Sequence, residues 1–162
     1  MDKRLLSERD ICSKFVLPAL IDSGWDLHSQ IAEERTLTAG RIIVRGKLVA
    51  RGQKKRADFF LYLKANVPIA VIEAKDNRHV AGDGIQQALT YAEMLQVPFA
   101  FSSNGDSFIF HDRSGQAAQT ETEIGLDAFP SPQGLRKRFL AWKGMTETEA
   151  ETALHLAQAT GA

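Results

Sequence analysis

The chain has 162 residues, with 20 Lys and Arg against 20 Asp and Glu, so its formal net charge is zero. That length suits one domain able to bury roughly 68–70% of its unfolded surface, and 44% hydrophobic with 25% charged residues excludes a disordered or fibrous chain. No apolar run approaches the ~18–20 residues of a membrane helix, MDKRLLSERD lacks the apolar stretch of a signal peptide, and the single cysteine, Cys12, excludes an internal disulfide or a Cys-rich zinc site. A cytoplasmic protein without a membrane partner is expected.

In chain order, Ser7-Glu8-Arg9-Asp10 resembles a capping box, and Ile11, Phe15, Val16, Ala19 and Leu20 follow at helical spacing. Pro18 should bend or split this helix, and Gly24 should stop it. Three strand candidates follow: His28–Thr38, Arg41–Ala50 and Arg56–Leu63. Asp58 opens an almost wholly apolar run to Leu63, as in a strand buried on both faces. Pro68–Lys75 reads the same way until its end, joined to the preceding strand by a hairpin containing Asn66. A helix is expected from about Asp83 to Leu95, with Asp83 as N-cap, Gln86 in the capping-box position, and Ile85, Ala88, Leu89, Ala92 and Leu95 as its apolar face. Pro98–Ser103 is a strand, Asn104-Gly105 a hairpin turn, and Ser107–His111 the returning strand. Ser114–Phe129 reads as loop. Ser131-Pro132 starts a helix through about Trp142, and Thr146–Gln158 reads as one more. Trp25 and Trp142 read as packing residues. The order of helices and strands predicts an α/β layer domain with a mixed sheet.

The zero net charge hides a segregation. Residues 41–56, RIIVRGKLVARGQKKR, carry seven basic side chains (Arg41, Arg45, Lys47, Arg51, Lys54, Lys55 and Arg56) and no acid, leaving a net of −7 on the rest. Such a stripe binds phosphate even when the total is zero; it equally suits a solvated strand pair with protected edges.

The chemistry concentrates between Asp58 and Lys75. Glu73 and Lys75 are two apart on one strand and point the same way. A carboxylate following Ile69-Ala-Val-Ile72 is costly to bury unless it is paired or holds a metal. Two carboxylates on adjacent strands with a Lys beside them suit a divalent cation of the Mg²⁺ type. A solvated Glu-x-Lys pair with Asp as a turn residue is the competing account. Gln87 and Tyr91, four apart, share a helix face, either over the strand ends or as a polar flank. His28, His79, His111 and His155 show no zinc spacing. Ser102 and Ser103 have no nucleophile elbow around them, and there is no GxxxxGK[ST] phosphate loop.

Asp58, Glu73-Ala74-Lys75 and Gln87-x-x-x-Tyr91 resemble the PD-(D/E)XK nuclease core with the helix motif of RecB-like members. More closely, Lys55-Arg56-Ala57-Asp58, Ile69 through Lys75, Gly84 through Ala92 and Phe101-Ser102-Ser103-Asn104-Gly105 resemble the N-terminal nuclease domain of type I restriction enzyme R subunits. Ala57 stands where the general pattern has Pro. The resemblance implies a restriction-endonuclease-like core over 1–113, a linker over 114–130, and a helical segment over 131–162 leading towards an absent motor region, the chain being cut from a longer one. It implies Mg²⁺-dependent hydrolysis of double-stranded DNA. Asp58, Glu73 and the Ala74 carbonyl would ligate the metal, Lys75 would position the attacking water, and Gln87 and Tyr91 would steady the site or the DNA backbone. Glu8 matches a first-helix metal ligand of some relatives, or is simply an acid well placed in a first helical turn. Modification and specificity would sit on separate subunits, and ATP would serve only the absent motor. A free-standing repair nuclease or junction resolvase, and a non-catalytic DNA-binding or assembly module of the same fold, are the alternative readings.

Overall fold

The computed structural model describes residues 2–38, 41–43 and 55–144, giving only the backbone for 35–38, 41–43 and 55–56. The expected strand over 44–50, the helix over 146–158 and His155 lie outside the described residues.

Ser7 caps the first helix as its sequence predicts. Its hydroxyl accepts the Asp10 N–H while the Asp10 carboxylate accepts the Ser7 N–H. The helix runs as α1 (Glu8–Ile11), a π turn (Cys12–Val16) and α2 (Leu17–Asp22). Pro18 neither splits nor ends it. Its ring opposes the carbonyl four residues back, and the widened turn, in which the Leu17 N–H reaches the Cys12 carbonyl, absorbs the mismatch. Gly24, at φ +107°, lets the chain leave the helix, and the Trp25 N–H closes back on the Leu20 carbonyl.

Among the described residues seven strands follow: β1 (Ile31–Thr38), β2 (Arg41–Ile43), β3 (Lys55–Tyr62), β4 (Pro68–Ala74), β5 (Phe99–Ser103), β6 (Ser107–Asp112) and β7 (Glu121–Gly125). They form one sheet in the order β2-β1-β3-β4-β5-β6-β7, antiparallel throughout except for the parallel pair β4–β5. The single parallel pair needs a crossover, supplied by the 3₁₀ turn Ala81–Gly84 and α3 (Ile85–Leu95). The mixed sheet is as expected. β1 starts later than His28 because the Asp26 carboxylate gathers the His28 N–H, the Ser29 N–H and the Ser29 hydroxyl into a turn. Asp83 is not the N-cap of α3. Its carboxylate turns back to the Val80 N–H, and the 3₁₀ turn intervenes.

Residues 114–130 are not a linker. β7 pairs with β6 from Ser107↔Gly125 to His111↔Glu121, and Phe129 packs on Phe101 and Phe108 at centroid distances of 4.5 and 4.9 Å. Nor does the next helix leave the core. Ser131 caps α4 (Pro132–Lys143) through the Gly134 N–H, and Leu135, Phe139 and Leu140 join the same apolar cluster. That cluster lies between one sheet face and the 8–22 helical segment with α4. A second, centred on Phe60, Val71, Ala88, Ala92 and Ala100, lies between the other face and α3. Trp25 is buried, and its indole N–H donates to the Pro130 carbonyl at 2.9 Å. Among the described residues no helix is long and apolar enough to cross a membrane.

Candidate active site

β3 and β4 carry the site because their ladder ends there. Register pairs run from Tyr62↔Pro68 to Phe59↔Ile72 and stop, so the next residues, Asp58 and Glu73, face each other where the strands part. Asp58 also drops out of the ladder on its other side. β1 pairs Glu33 with Phe59 and Arg35 with Ala57, skipping the step between. At that step sits Glu34, with φ +50° in mid-strand. A non-glycine residue held there costs on the order of 1–3 kcal/mol. Asp58 therefore lies in mid-strand rather than at a strand start, with its polar groups free of the sheet.

Side chains take over the released hydrogen bonds. The Ala74 N–H donates to Asp58 Oδ2 at 2.8 Å, and the Asp58 N–H donates to Glu73 Oε1 at 3.2 Å. Burial, then the neighbouring Asp58 charge, pushes the Glu73 carboxyl up to about 9. Burial also raises Asp58, against the opposing effects of the Ala74 N–H and the Glu73 carboxyl. Glu73 is 3% exposed.

Lys75 follows the end of β4, and its N–H donates to the Ser103 carbonyl at 2.9 Å. Its ammonium draws the Asp58 and Glu8 carboxyls down. Glu8 reaches the site from the first turn of α1. Desolvation at the cavity rim and then the Asp58 charge hold its carboxyl above the ordinary range. Glu8, Cys12 and Asp58 line one cavity of about 470 Å³. Burial, followed by the charges of Asp58, Glu8 and Glu73, pushes the Cys12 thiol far up. α3 lies over the Glu73 side of β4. The Gln87 amide donates to the Tyr91 hydroxyl at 2.7 Å, with Tyr91 buried and Gln87 exposed.

The structure therefore joins Asp58 to Glu73 and to the Ala74 backbone, sets Glu8 and Asp58 on one cavity with Lys75 in electrostatic reach of both, and links Gln87 to Tyr91. Of the basic stripe, Arg45, Lys47, Arg51 and Lys54 lie outside the described residues. Arg41 is in β2, and Lys55 and Arg56 are in β3, with only their backbone described. His79 is exposed and bonds the Asp83 carboxylate at 3.0 Å.

Among the described residues, no group of three or more His, Cys, Asp or Glu side chains is placed to hold a metal ion, so Asp58 and Glu73 stand as a pair. The donor set still fits Mg²⁺, which keeps several waters and is held by one or two carboxylates. A buried Glu73 carboxyl beside half-buried Asp58, both raised by desolvation, is an arrangement that a cation relieves.

Sequence reasoning missed three contributors. Gly84 begins α3 so close to the strand that an added Cβ would meet the Glu73 Cβ at 3.3 Å and the Ser102 Cβ at 3.4 Å. Its neighbour Gly82 and the adjoining helix pattern were the available signal. Asn104 accepts the Asn77 amide on its carbonyl and donates to the His79 carbonyl, both at 2.8 Å, fastening the loop after Lys75. Glu34 gave no sequence signal at all.

A mixed sheet covered by helices on both faces, with Asp and Glu-x-Lys on adjacent strands and Gln-x-x-x-Tyr on the crossover helix, defines a restriction-endonuclease-like α/β fold. Residues 27–130 match the model of the family described as "Type I restriction enzyme R protein N terminus", and the chain belongs to that family. It is 48% identical over 145 residues to the endonuclease subunit of the type I restriction enzyme EcoAI from Escherichia coli, covering 89% of this chain and 18% of that subunit. A solved fragment assigned to an HsdR subunit of a type I restriction enzyme from Vibrio vulnificus YJ016 superposes with a TM-score of 0.72 at 39% identity, covering 88% of this chain and 27% of that one.

Proposed function

We propose that this chain is the Mg²⁺-dependent DNA endonuclease domain of a type I restriction enzyme R subunit. The observation that carries the reading is the pairing of half-buried Asp58 with buried Glu73 where β3 and β4 part, with Lys75 in electrostatic reach of Asp58. Asp58, Glu73 and the Ala74 carbonyl hold the cation, with Glu8 as a further ligand at the rim. When bound, Mg²⁺ supplies Lewis-acid charge against the phosphodiester and acidifies a water. Lys75 orients that water and offsets negative charge developing at phosphorus. The Asp58 N–H and the Ala74 N–H fix the two carboxylates before substrate arrives, so no reorganisation is needed at the reacting centre. Gln87 and Tyr91 steady the helix flank against the DNA backbone.

Arg41, Arg45, Lys47, Arg51, Lys54, Lys55 and Arg56 grip duplex phosphates. Recognition and modification belong to partner subunits, ATP-driven movement belongs to the rest of a longer R chain, and the complex works in the cytoplasm. The 18% and 27% coverage of the two relatives accords with a domain of a larger machine.

Plasmid cleavage at high protein concentration, with Mg²⁺ or Mn²⁺, tests the reading. Wild type is expected to cut, with Asp58→Ala, Glu73→Ala and Lys75→Ala at least ~100-fold slower, the scale on which a single preorganised charge acts. Equal cutting by wild type and Glu73→Ala sinks it.

A further inference from the structure

The cavity beside Asp58 is lined by acids, Glu8, Asp10, Glu33 and Glu34, and Arg9 is the positively charged side chain among its described lining residues. A phosphodiester entering such a cavity meets repulsion unless cations offset it. Arg9 is not available as the free protein stands. Its Nη2 donates to Glu34 Oε1 at 3.1 Å, and both residues line the cavity. The two ends of this bridge differ. Arg9 is an arm with its side chain 80% exposed, whereas Glu34 is 31% exposed and sits on the strained backbone step that frees Asp58.

We propose that Arg9 is a DNA phosphate-binding residue of this site, and that Glu34 holds it in check until DNA arrives. The proposal rests on the nuclease reading above for the position of the DNA. The Arg9–Glu34 contact uses one nitrogen of a guanidinium that can present two parallel donors. A surface pair of that kind is weak, and a phosphate offers the planar fork a bidentate partner. Exchange of Glu34 for phosphate brings the backbone to the rim it shares with Glu8 and Asp58. Arg9 thereby selects for an extended polyanion that reaches past the rim.

Binding is measured in EDTA, where no cleavage occurs, as fluorescence anisotropy of a labelled duplex across a salt series with the 162-residue chain. Arg9→Ala is expected to weaken binding about three- to tenfold at low salt and to reduce the log–log salt slope by ~0.9, one phosphate contact. Arg9→Lys should keep the slope and bind less tightly than wild type, because it keeps the charge and loses the fork. Glu34→Gln should tighten binding about threefold or more, and that gain should vanish in the Arg9→Ala background. Binding by Arg9→Ala equal to wild type overturns the proposal. So does a Glu34→Gln gain that survives in Arg9→Ala, which makes Glu34 a plain repulsive charge, and so does absence of binding by both wild type and Glu34→Gln. Matching thermal melts exclude misfolding of these surface variants. Binding with this pattern but without Glu73-dependent cutting retains Arg9 and discards the nuclease reading. Cutting without an Arg9 effect discards only this proposal.

Discussion

Around Phe101 and around Asp58 the same sheet is built in opposite ways. At Phe101 the ladder is complete on both sides, and the ring stacks on Phe110 at 4.4 Å and leans on Phe129 at 4.5 Å. At Asp58 the ladder is missing on both sides, a neighbouring residue is held at positive φ, and a buried carboxyl lies beside a half-buried one. The first arrangement gathers dispersion and apolar burial. The second spends stability to hold polar groups that the sheet would otherwise absorb. A domain of this size tolerates the second because the first sits two strands away on a continuous core.

The largest effect should come from the aromatic side. Phe101→Ala removes a fully buried ring and should lower unfolding stability by about 3–5 kcal/mol, read as a fall in the urea midpoint at constant m. A loss under about 1 kcal/mol would mean that the ring cluster is not the stabilising half.

Glu73→Gln should act in the other direction. Without a metal it relieves the carboxyl pair while keeping an oxygen to accept the Asp58 N–H, raising stability by roughly 1–3 kcal/mol at pH 8 and abolishing cleavage. The pH dependence carries the sign. The Glu73 carboxyl, ordinarily at 4.5, lies at about 9 in the fold. Between those values the folded state holds the extra proton, so metal-free wild type should lose stability as pH rises through that window, and Glu73→Gln should flatten the loss. Stabilisation by added Mn²⁺ should be greater at pH 8 than at pH 5.5, where protons compete for the same oxygens. Parallel pH curves for wild type and Glu73→Gln break the contrast between the two regions.

The smallest effect tests their seam. Gly84→Ala places a methyl 3.3 Å from the Glu73 Cβ, so it should cost about 1 kcal/mol by overpacking and slow cleavage by displacing the start of α3. A neutral or stabilising substitution with unchanged cleavage would show that the close approach is incidental.

The two regions also differed in how legible they were. The pairing of Asp58 with Glu73 could be anticipated because a carboxylate at the end of an apolar run, once buried, needs a partner. The rings of Phe99, Phe101, Phe108 and Phe110 announced two buried strands flanking an Asn-Gly turn. β7 was missed because Glu121-Thr-Glu-Ile-Gly125 is an edge strand whose single large apolar residue, Ile124, gives alternation no contrast. Pro18 signalled a disturbance but not its form, since a kink and a π turn satisfy the same missing N–H. Glu34 was illegible because its φ is imposed by the ladder it interrupts, not by its own side chain.

The π turn has one more consequence. It turns the single thiol of the chain into the acidic cavity, where burial and the charges of Asp58, Glu8, Glu73 and Glu33 raise the Cys12 thiol. Thiolate is the form that alkylating agents and peroxide attack, so Cys12 is chemically quiet while the cavity keeps this shape. The one sulfhydryl of these 162 residues thus sits where thiolate is disfavoured, and its rate of alkylation gauges how much negative charge the cavity holds.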